Sequence, residues 1–253
     1  EKYDQNRNPF NSTFNSKPLL TVSKFLHIVN QTMSSFPFSI QGQISSFNFR
    51  KHAYFSLKDK LDGSMLNCFM WGSDFNLCNV DAKEGLEVII NGYPEVYKPT
   101  GKLTFRARTI ELVGEGALKK AYLDLKNKFK NEGLFDFERK KPMPYLPINI
   151  GVITSKYGAV INDLLTNLGT YGLKISLFDS RVEGILATKE LKNAIEFFKE
   201  KPIDLLVIIR GGGSLESLQP FNNEILVRSL IDYPVPIICG IGHDKDVPLT
   251  SLV

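Results

Sequence analysis

The residues of this chain best suited to chemistry stand just after short apolar runs. Arg210-Gly211-Gly212-Gly213-Ser214 follows Ile203–Ile209 directly. Consecutive glycines let backbone N–H groups approach an anion closely, and an arginine beside them adds a planar fork suited to phosphate. The competing structural explanation is a tight turn that needs positive φ, with Arg210 on the surface. The run matches neither the Walker A spacing nor Gly-x-Gly-x-x-Gly, so it gives little support to a nucleotide cofactor. Gly240-Ile241-Gly242-His243-Asp244-Lys245-Asp246 follows Val235–Cys239. A neutral His beside a carboxylate is a general acid or base near neutral pH, and the two aspartates offer a hard cation such as Mg²⁺ an alternative place. The identity of any metal stays open. Thr154-Ser155-Lys156-Tyr157-Gly158 opens a third segment, which carries Asp163. Asp163 there, and Asn222 and Glu224 at the start of a later segment, are equally explained by helix capping and the helix dipole. An arginine, glycine amides, a histidine and carboxylates suit a phosphate ester better than an acyl group. No Gly-x-Ser-x-Gly elbow is present, and Ser214 has weak credentials as a nucleophile. In phosphodiester hydrolysis, Arg210 with the amides of Gly211, Gly212, Gly213 and Ser214 would stabilise the charged transition state while His243 moved a proton.

These residues need a frame, and the hydrophobic pattern supplies one. Ile148–Thr154, Leu173–Phe178, Ile203–Ile209 and Val235–Cys239 are continuous apolar runs rich in β-branched residues, as expected of strands buried on both faces. Helical stretches at Ala159–Leu168, Lys189–Lys199 (Thr188 as N-cap) and Asn222–Ile231 alternate with them, which predicts a mainly parallel α/β sheet over residues 145–253. Ligands bind such sheets beyond the carboxyl ends of the strands, where all three polar segments stand.

The first half has period two instead. In His52–Lys58, alternation puts Ala53, Phe55 and Leu57 inside and His52, Tyr54, Ser56 and Lys58 outside; in Lys102–Arg108 it puts Leu103, Phe105 and Ala107 inside and Lys102, Thr104, Arg106 and Arg108 outside. Further strands near Ser64–Trp71 and Leu86–Tyr97, turns at Leu61-Asp62-Gly63 and Pro99-Thr100-Gly101, and a possible helix between the third and fourth strands predict an OB-type barrel over residues 19–114. Thr21 is placed to cap a leading helix with Val22, Phe25, Leu26 and Val29 on its apolar face. Exposed Tyr54, Lys58, Arg106 and Arg108 are the composition expected for single strands, where aromatics stack on bases and cations follow phosphates; Phe69, Trp71 and Phe105 are assigned to the core. Residues 115–144 read as a charged helical connector ended by Pro142, Pro144 and Pro147, and residues 1–18 as a polar tail.

Charge is distributed in keeping with that division. Residues 1–114 carry 13 basic and 10 acidic side chains, residues 115–144 carry 8 and 5, and residues 145–253 carry 10 and 12. The positive excess lies in the barrel and connector, where phosphates would be tracked. The longest apolar run, Leu205–Ile209, is far below the roughly 18 residues of a membrane span. The polar N-terminal stretch has no apolar segment of a signal peptide, and Cys68, Cys78 and Cys239 show no disulfide or zinc spacing. A reducing cytoplasm and no membrane partner are expected. The first residue, Glu1, and the stop soon after a dense polar motif suggest a piece of a longer protein.

At the same residues the chain resembles the large subunits of exodeoxyribonuclease VII. The resemblance runs through Leu20-Thr21-Val22-Ser23, Tyr54-Phe55-Ser56-Leu57-Lys58-Asp59, Gly151–Ser155 with Gly158-Ala159 and Asp163, Arg210–Glu216, Phe221-Asn222, Glu224, and Gly242-His243 with Asp246. It implies an OB-type DNA-binding domain followed by an α/β catalytic domain, incomplete at its C-terminus, in a nuclease that degrades single-stranded DNA from both ends to oligonucleotides. It also implies Asp163, Arg210, His243 and Asp246 as catalytic positions, with Ser155, Asn222, Glu224, Asp244 and Lys245 beside them. Small partner subunits are implied too, bound through a helical region beyond Val253. The chain departs from the family pattern at Ser217-Leu218-Gln219, Asn223, Asp244-Lys245 and Ser251, and Lys245 is placed to replace part of a metal's charge. Two other classes stay open: a non-catalytic single-strand-binding fragment or inactive homologue, and a phosphate-ligand enzyme unrelated to DNA.

Overall fold

The computed structural model describes residues 19–169, 171–184, 186–213, 216–242 and 247–253. Helix α1 (Val22–Ser34) starts at Thr21, whose hydroxyl accepts the Lys24 amide at 3.3 Å. It then leans on strand β4 (Glu87–Tyr97), where the Asn30 amide donates to Val96 O and accepts from Val96 N at 2.9 and 2.7 Å. Leu26 and Val29 are half-buried in that contact, whereas Val22 and Phe25, expected on the same face, are exposed.

Strands β1 (Phe38–Phe49), β2 (Ala53–Lys58), β3 (Met65–Met70), β4 and β5 (Lys102–Leu112) close a barrel in the order β1-β2-β3-β5-β4, with β3 and β5 parallel at the seam. Closure removes the exposed edges an open sheet would present. Ala53, Phe55, Leu57, Cys68, Met70, Val88, Ile90, Phe105 and Ala107 fill the interior, the alternation that a half-buried strand imposes. Leu103 breaks the pattern and is exposed. It pairs with Val96 on the part of the β4–β5 hairpin that runs past the first β3 partner, Phe105, so no third strand lies beside it. Helix α2 (Gly72–Cys78) packs Phe75 and Cys78 against the barrel core.

Helix α3 (Glu115–Asn131) forms the connector. Gly133 at φ +69° ends it, with the Leu134 amide donating to Phe129 O at 3.0 Å; this closing turn needs a left-handed residue, and glycine adopts it without strain. The three prolines lie downstream of that stop.

The second domain runs β6 (Asn149–Thr154), α4 (Ala159–Leu168), β7 (Lys174–Asp179), α5 (Ala187–Lys199), β8 (Leu205–Arg210), α6 (Glu224–Leu230) and β9 (Ile237–Ile241), as a parallel sheet in the order β7-β6-β8-β9. Ile150, Val152, Leu205, Val207 and Ile209 pack with Ile161 of α4, while Ile153, Leu206 and Ile208 pack with Leu191, Ile195 and Phe198 of α5 and Leu226 and Leu230 of α6. Both faces of the central pair are therefore covered, and their sequences are apolar throughout. Strands β7 and β9 are edges and leave Leu177 and Ile238 exposed, where the apolar runs predict burial on both faces. Helix α5 begins at Ala187 with Leu186 at its N-cap, so Thr188 lies inside it. Helix α6 lies within the stretch Asn222–Ile231 expected to be helical, and a 3-10 segment, Glu216–Asn222, precedes it. They are separate because the Asn223 carboxamide oxygen accepts from Ile225 N and Leu226 N at 2.9 and 3.4 Å and so fixes where α6 starts.

The barrel and the connector are each tied to the second domain. The Asn223 side-chain amide donates to Leu77 O of α2 at 2.7 Å, and Tyr122 of α3 donates to Val247 O at 2.8 Å. Lys128 pairs with Glu224, and Arg228 with Glu132.

Candidate functional site

The chain leaves β6 for β7 on one side and then returns to β8 on the other. That reversal opens a crevice between the carboxyl ends of β6 and β8. Ser155 follows β6 there, and Arg210 is the last residue of β8. The Arg210 side chain is only 3% exposed, yet its charge is not hidden among apolar groups. Its Nη2 donates to Glu183 Oε2 at 3.1 Å and to Ser217 Oγ at 2.6 Å. Its Nη1 is buried and has no hydrogen-bond partner among the described residues. A guanidinium N–H left unpaired away from water is costly, so such a group invites an acceptor.

Gly211 and Gly213 serve close approach. None of Gly211, Gly212 and Gly213 has positive φ, which removes the tight-turn explanation. A methyl group at Gly213 would overlap the Arg210 guanidinium, and one at Gly211 would stand 3.2 Å from Val160 Cγ2 of α4. Gly213 thus leaves the space that the arginine fills.

Asp163, Asn222 and Glu224 make no hydrogen bond to Arg210, whose acceptors among the described residues are Glu183 and Ser217. Asp163 is exposed on α4, where its backbone carbonyl accepts from the Asn167 side chain. The Asn222 carboxamide accepts the Leu249 amide at 2.9 Å, and Glu224 accepts from Lys128 and Arg228; both hold the domain together. Burial pushes the Glu224 carboxyl up, but the two cations outweigh it and hold its pKa below the usual value. Ser214, His243, Asp244, Lys245 and Asp246 lie outside the described residues. Among the described residues, no three His, Cys, Asp or Glu side chains gather as a metal site. Beside Arg210, the Glu183 carboxylate accepts from the guanidinium; the aspartates expected to offer a place to Mg²⁺, Asp244 and Asp246, are among the residues that lie outside those described.

The outer face of the barrel carries a second constellation. Tyr54 of β2 stands opposite Phe69 of β3, and Phe69 opposite Arg106 of β5. The Tyr54 and Phe69 rings lie 5.2 Å apart, Phe69 meets Trp71 edge-on at 5.1 Å, and His52 meets Trp71 edge-on at 4.6 Å. The Gly72 amide donates to His52 Nδ1 at 3.2 Å, which puts the imidazole proton on Nε2. Arg106 lies over the Trp71 and Phe69 rings, 5.1 and 6.0 Å from their centroids, and donates to Glu95 Oε2 at 3.0 Å. It is half-buried and already paired, so it braces the aromatic rings; the sequence suggested a free surface cation. Arg108 and Lys58 are exposed, with Arg108 3.8 Å from Asp74.

Phe69 and Trp71 correct the reading that assigned them to the core. Leu66, Cys68 and Met70 turn inward, and Asn67, Phe69 and Trp71 outward. With apolar residues on both faces of β3, hydrophobicity gave no contrast; only the register against Tyr54 shows which face is which.

Two family models match the chain. Residues 20–111 match the OB-fold nucleic acid binding domain, and residues 134–253 match the exonuclease VII large subunit. The exodeoxyribonuclease 7 large subunit of Lactobacillus delbrueckii subsp. bulgaricus is 38% identical over 243 residues, 92% of this chain and 53% of that protein. The chain belongs to the exonuclease VII large-subunit family. The corresponding subunit of Ruminiclostridium cellulolyticum is 38% identical over 85% of this chain and 54% of its own length. That of Vesicomyosocius okutanii is 38% identical over 95% and 53%. The chain spans about half the length of the curated relatives it matches. In this exonuclease VII family member, Arg210 of the expected catalytic set lies in the crevice and Asp163 lies on the exposed surface of α4. Among the described residues no helix is long and apolar enough to cross a membrane.

Proposed function

We propose that this chain is the strand-guiding and catalytic part of a single-strand-specific exodeoxyribonuclease that hydrolyses DNA phosphodiester bonds to oligonucleotides. Arg210 carries the reading: a buried cation at the topological switch point, with one nitrogen still in need of an acceptor. In hydrolysis, water attacks phosphorus, the bond to the leaving oxygen breaks, and negative charge grows on the non-bridging oxygens. An N–H donor fixed in a site closed to water stabilises that charge without reorganising. His243, with Asp163 and Asp246, is the proposed source and acceptor of the protons that move between water and leaving oxygen. On the barrel, Tyr54, Phe69 and Trp71 stack successive bases while Lys58 and Arg108 follow the phosphates. Small partner subunits of the family would join the intact protein.

A second reading, a strand-binding module without catalysis, is favoured by Asp163, which faces solvent. Incubation of end-labelled single-stranded and duplex DNA with the intact protein, with Mg²⁺ or EDTA, separates the two. Short products from single strands that fall sharply but measurably in Arg210→Ala and disappear in His243→Ala support the nuclease; salt-sensitive binding without cleavage selects the binding module.

A further inference from the structure

Resting on the reading of the crevice as a phosphodiester site, we propose that Glu183 and Ser217 are positioning residues: they lock the Arg210 guanidinium through one nitrogen and reserve the other for a phosphodiester oxygen. Nη2 carries two hydrogens, and its two acceptors, Glu183 Oε2 at 3.1 Å and Ser217 Oγ at 2.6 Å, use both. Nη1 carries two more and, although buried, has no acceptor among the described residues. A purely structural arginine at this depth would have both ends satisfied.

The clamp is drawn from three places in the chain. Glu183 comes from the segment between β7 and α5, Ser217 from the 3-10 segment after β8, and Gly213 leaves the space in which the guanidinium sits. Glu183 is 65% exposed on its side chain while Arg210 is 3% exposed, so the carboxylate reaches inward from the surface to balance a buried charge. A guanidinium held at Nη2 by acceptors from two segments cannot rotate about its Cζ–Nε bond without breaking both hydrogen bonds. Nη1 is thereby fixed in direction before any ligand arrives. Its two donors and the positive charge suit an anionic oxygen, such as a non-bridging oxygen of a phosphodiester.

The test joins a spectroscopic and a kinetic readout on the intact protein, labelled with ¹⁵N-arginine and assigned by the signals that vanish in Arg210→Lys. Separate, slowly exchanging Hη signals are expected for Arg210, merging in Glu183→Ala and in Ser217→Ala. The dinucleoside phosphate TpT should shift the Nη1 group and leave Nη2 in place. Freely rotating Hη signals in the wild type, or a TpT shift on Nη2, would overturn the proposal. In cleavage, Glu183→Ala should lower kcat at least tenfold with KM changed less than twofold, and Glu183→Asp should restore most of it. In an Arg210→Ala background, Glu183→Ala should cost nothing further, because its effect passes through the arginine. An equal loss in both backgrounds would overturn the role. Should the wild type cut no DNA while the Hη pattern and the TpT shift persist, the hydrolase reading falls and the clamp stands.

Discussion

Replacing Trp71 with alanine removes the ring that the stacking account most depends on. Trp71 is 39% exposed, with Arg106 over its ring at 5.1 Å and the edges of His52 and Phe69 against it. Arg106 covers one face, so at most one base can stack on this ring. Base–aromatic stacking contributes about 1–3 kcal/mol per base. Tyr54 and Phe69 remain in the variant, and Arg106 keeps Glu95, so the loss belongs in the lower part of that range. About 1–2 kcal/mol corresponds to a roughly 5- to 30-fold rise in Kd. Trp71 carries no charge, so the dependence of log Kd on log salt should keep its slope, whereas Lys58→Ala or Arg108→Ala should reduce the slope by about 0.7 for each phosphate that is no longer neutralised. The assay is fluorescence anisotropy of a labelled oligothymidylate across a salt series. Because the chain has only one tryptophan, quenching of its emission on binding provides a second readout in the wild type. A Kd within twofold of wild type, or a changed salt slope with unaltered melting, would refute the stacking argument.

Gly213→Ala forces a methyl group onto the Arg210 guanidinium; overpacking of this kind costs about 1–3 kcal/mol, so thermal melting should fall and cleavage should drop by about 10²-fold as the arginine is displaced. Glu224 has a folded pKa below the ordinary glutamate value of 4.5, so its stabilisation is present above that value and lost as pH falls through the folded one. Glu224→Gln should therefore lower the melting temperature at pH 7, and the difference should shrink as pH falls through the depressed folded pKa, as scanning calorimetry would read. Burial pushes Cys68, Cys78 and Cys239 up to about 12; native protein at pH 8 should react slowly with a thiol reagent and rapidly once unfolded, a contrast that absorbance would show.

Where hydrophobic contrast is strong, the sequence is easily read. Ala53, Phe55 and Leu57 alternate with polar neighbours, and all three face the barrel interior. The unbroken runs at Ile150–Ile153 and Leu205–Ile209 belong to the two strands covered on both sides. The same rule fails at β7 and β9, because an edge strand of a parallel sheet is nearly as apolar as a central one and edge status is a property of topology. Phe69 and Trp71 are hidden for a related reason: β3 has apolar residues on both faces, and register alone separates core from surface. Arg210 is legible as a candidate phosphate ligand by type and place, and the structure puts it at the carboxyl end of β8. Its clamp is not, because Glu183 stands 27 residues away and only the fold brings it to the guanidinium.

The most direct measurement of the division of labour between barrel and crevice is steady-state cleavage of one end-labelled single strand by the intact protein, comparing Trp71→Ala with Arg210→Ala. A barrel that guides and a crevice that cuts predict a raised KM with kcat retained in the first variant, and a collapsed kcat with KM nearly unchanged in the second. Equal losses of kcat in both, or a kcat retained in Arg210→Ala, would contradict it.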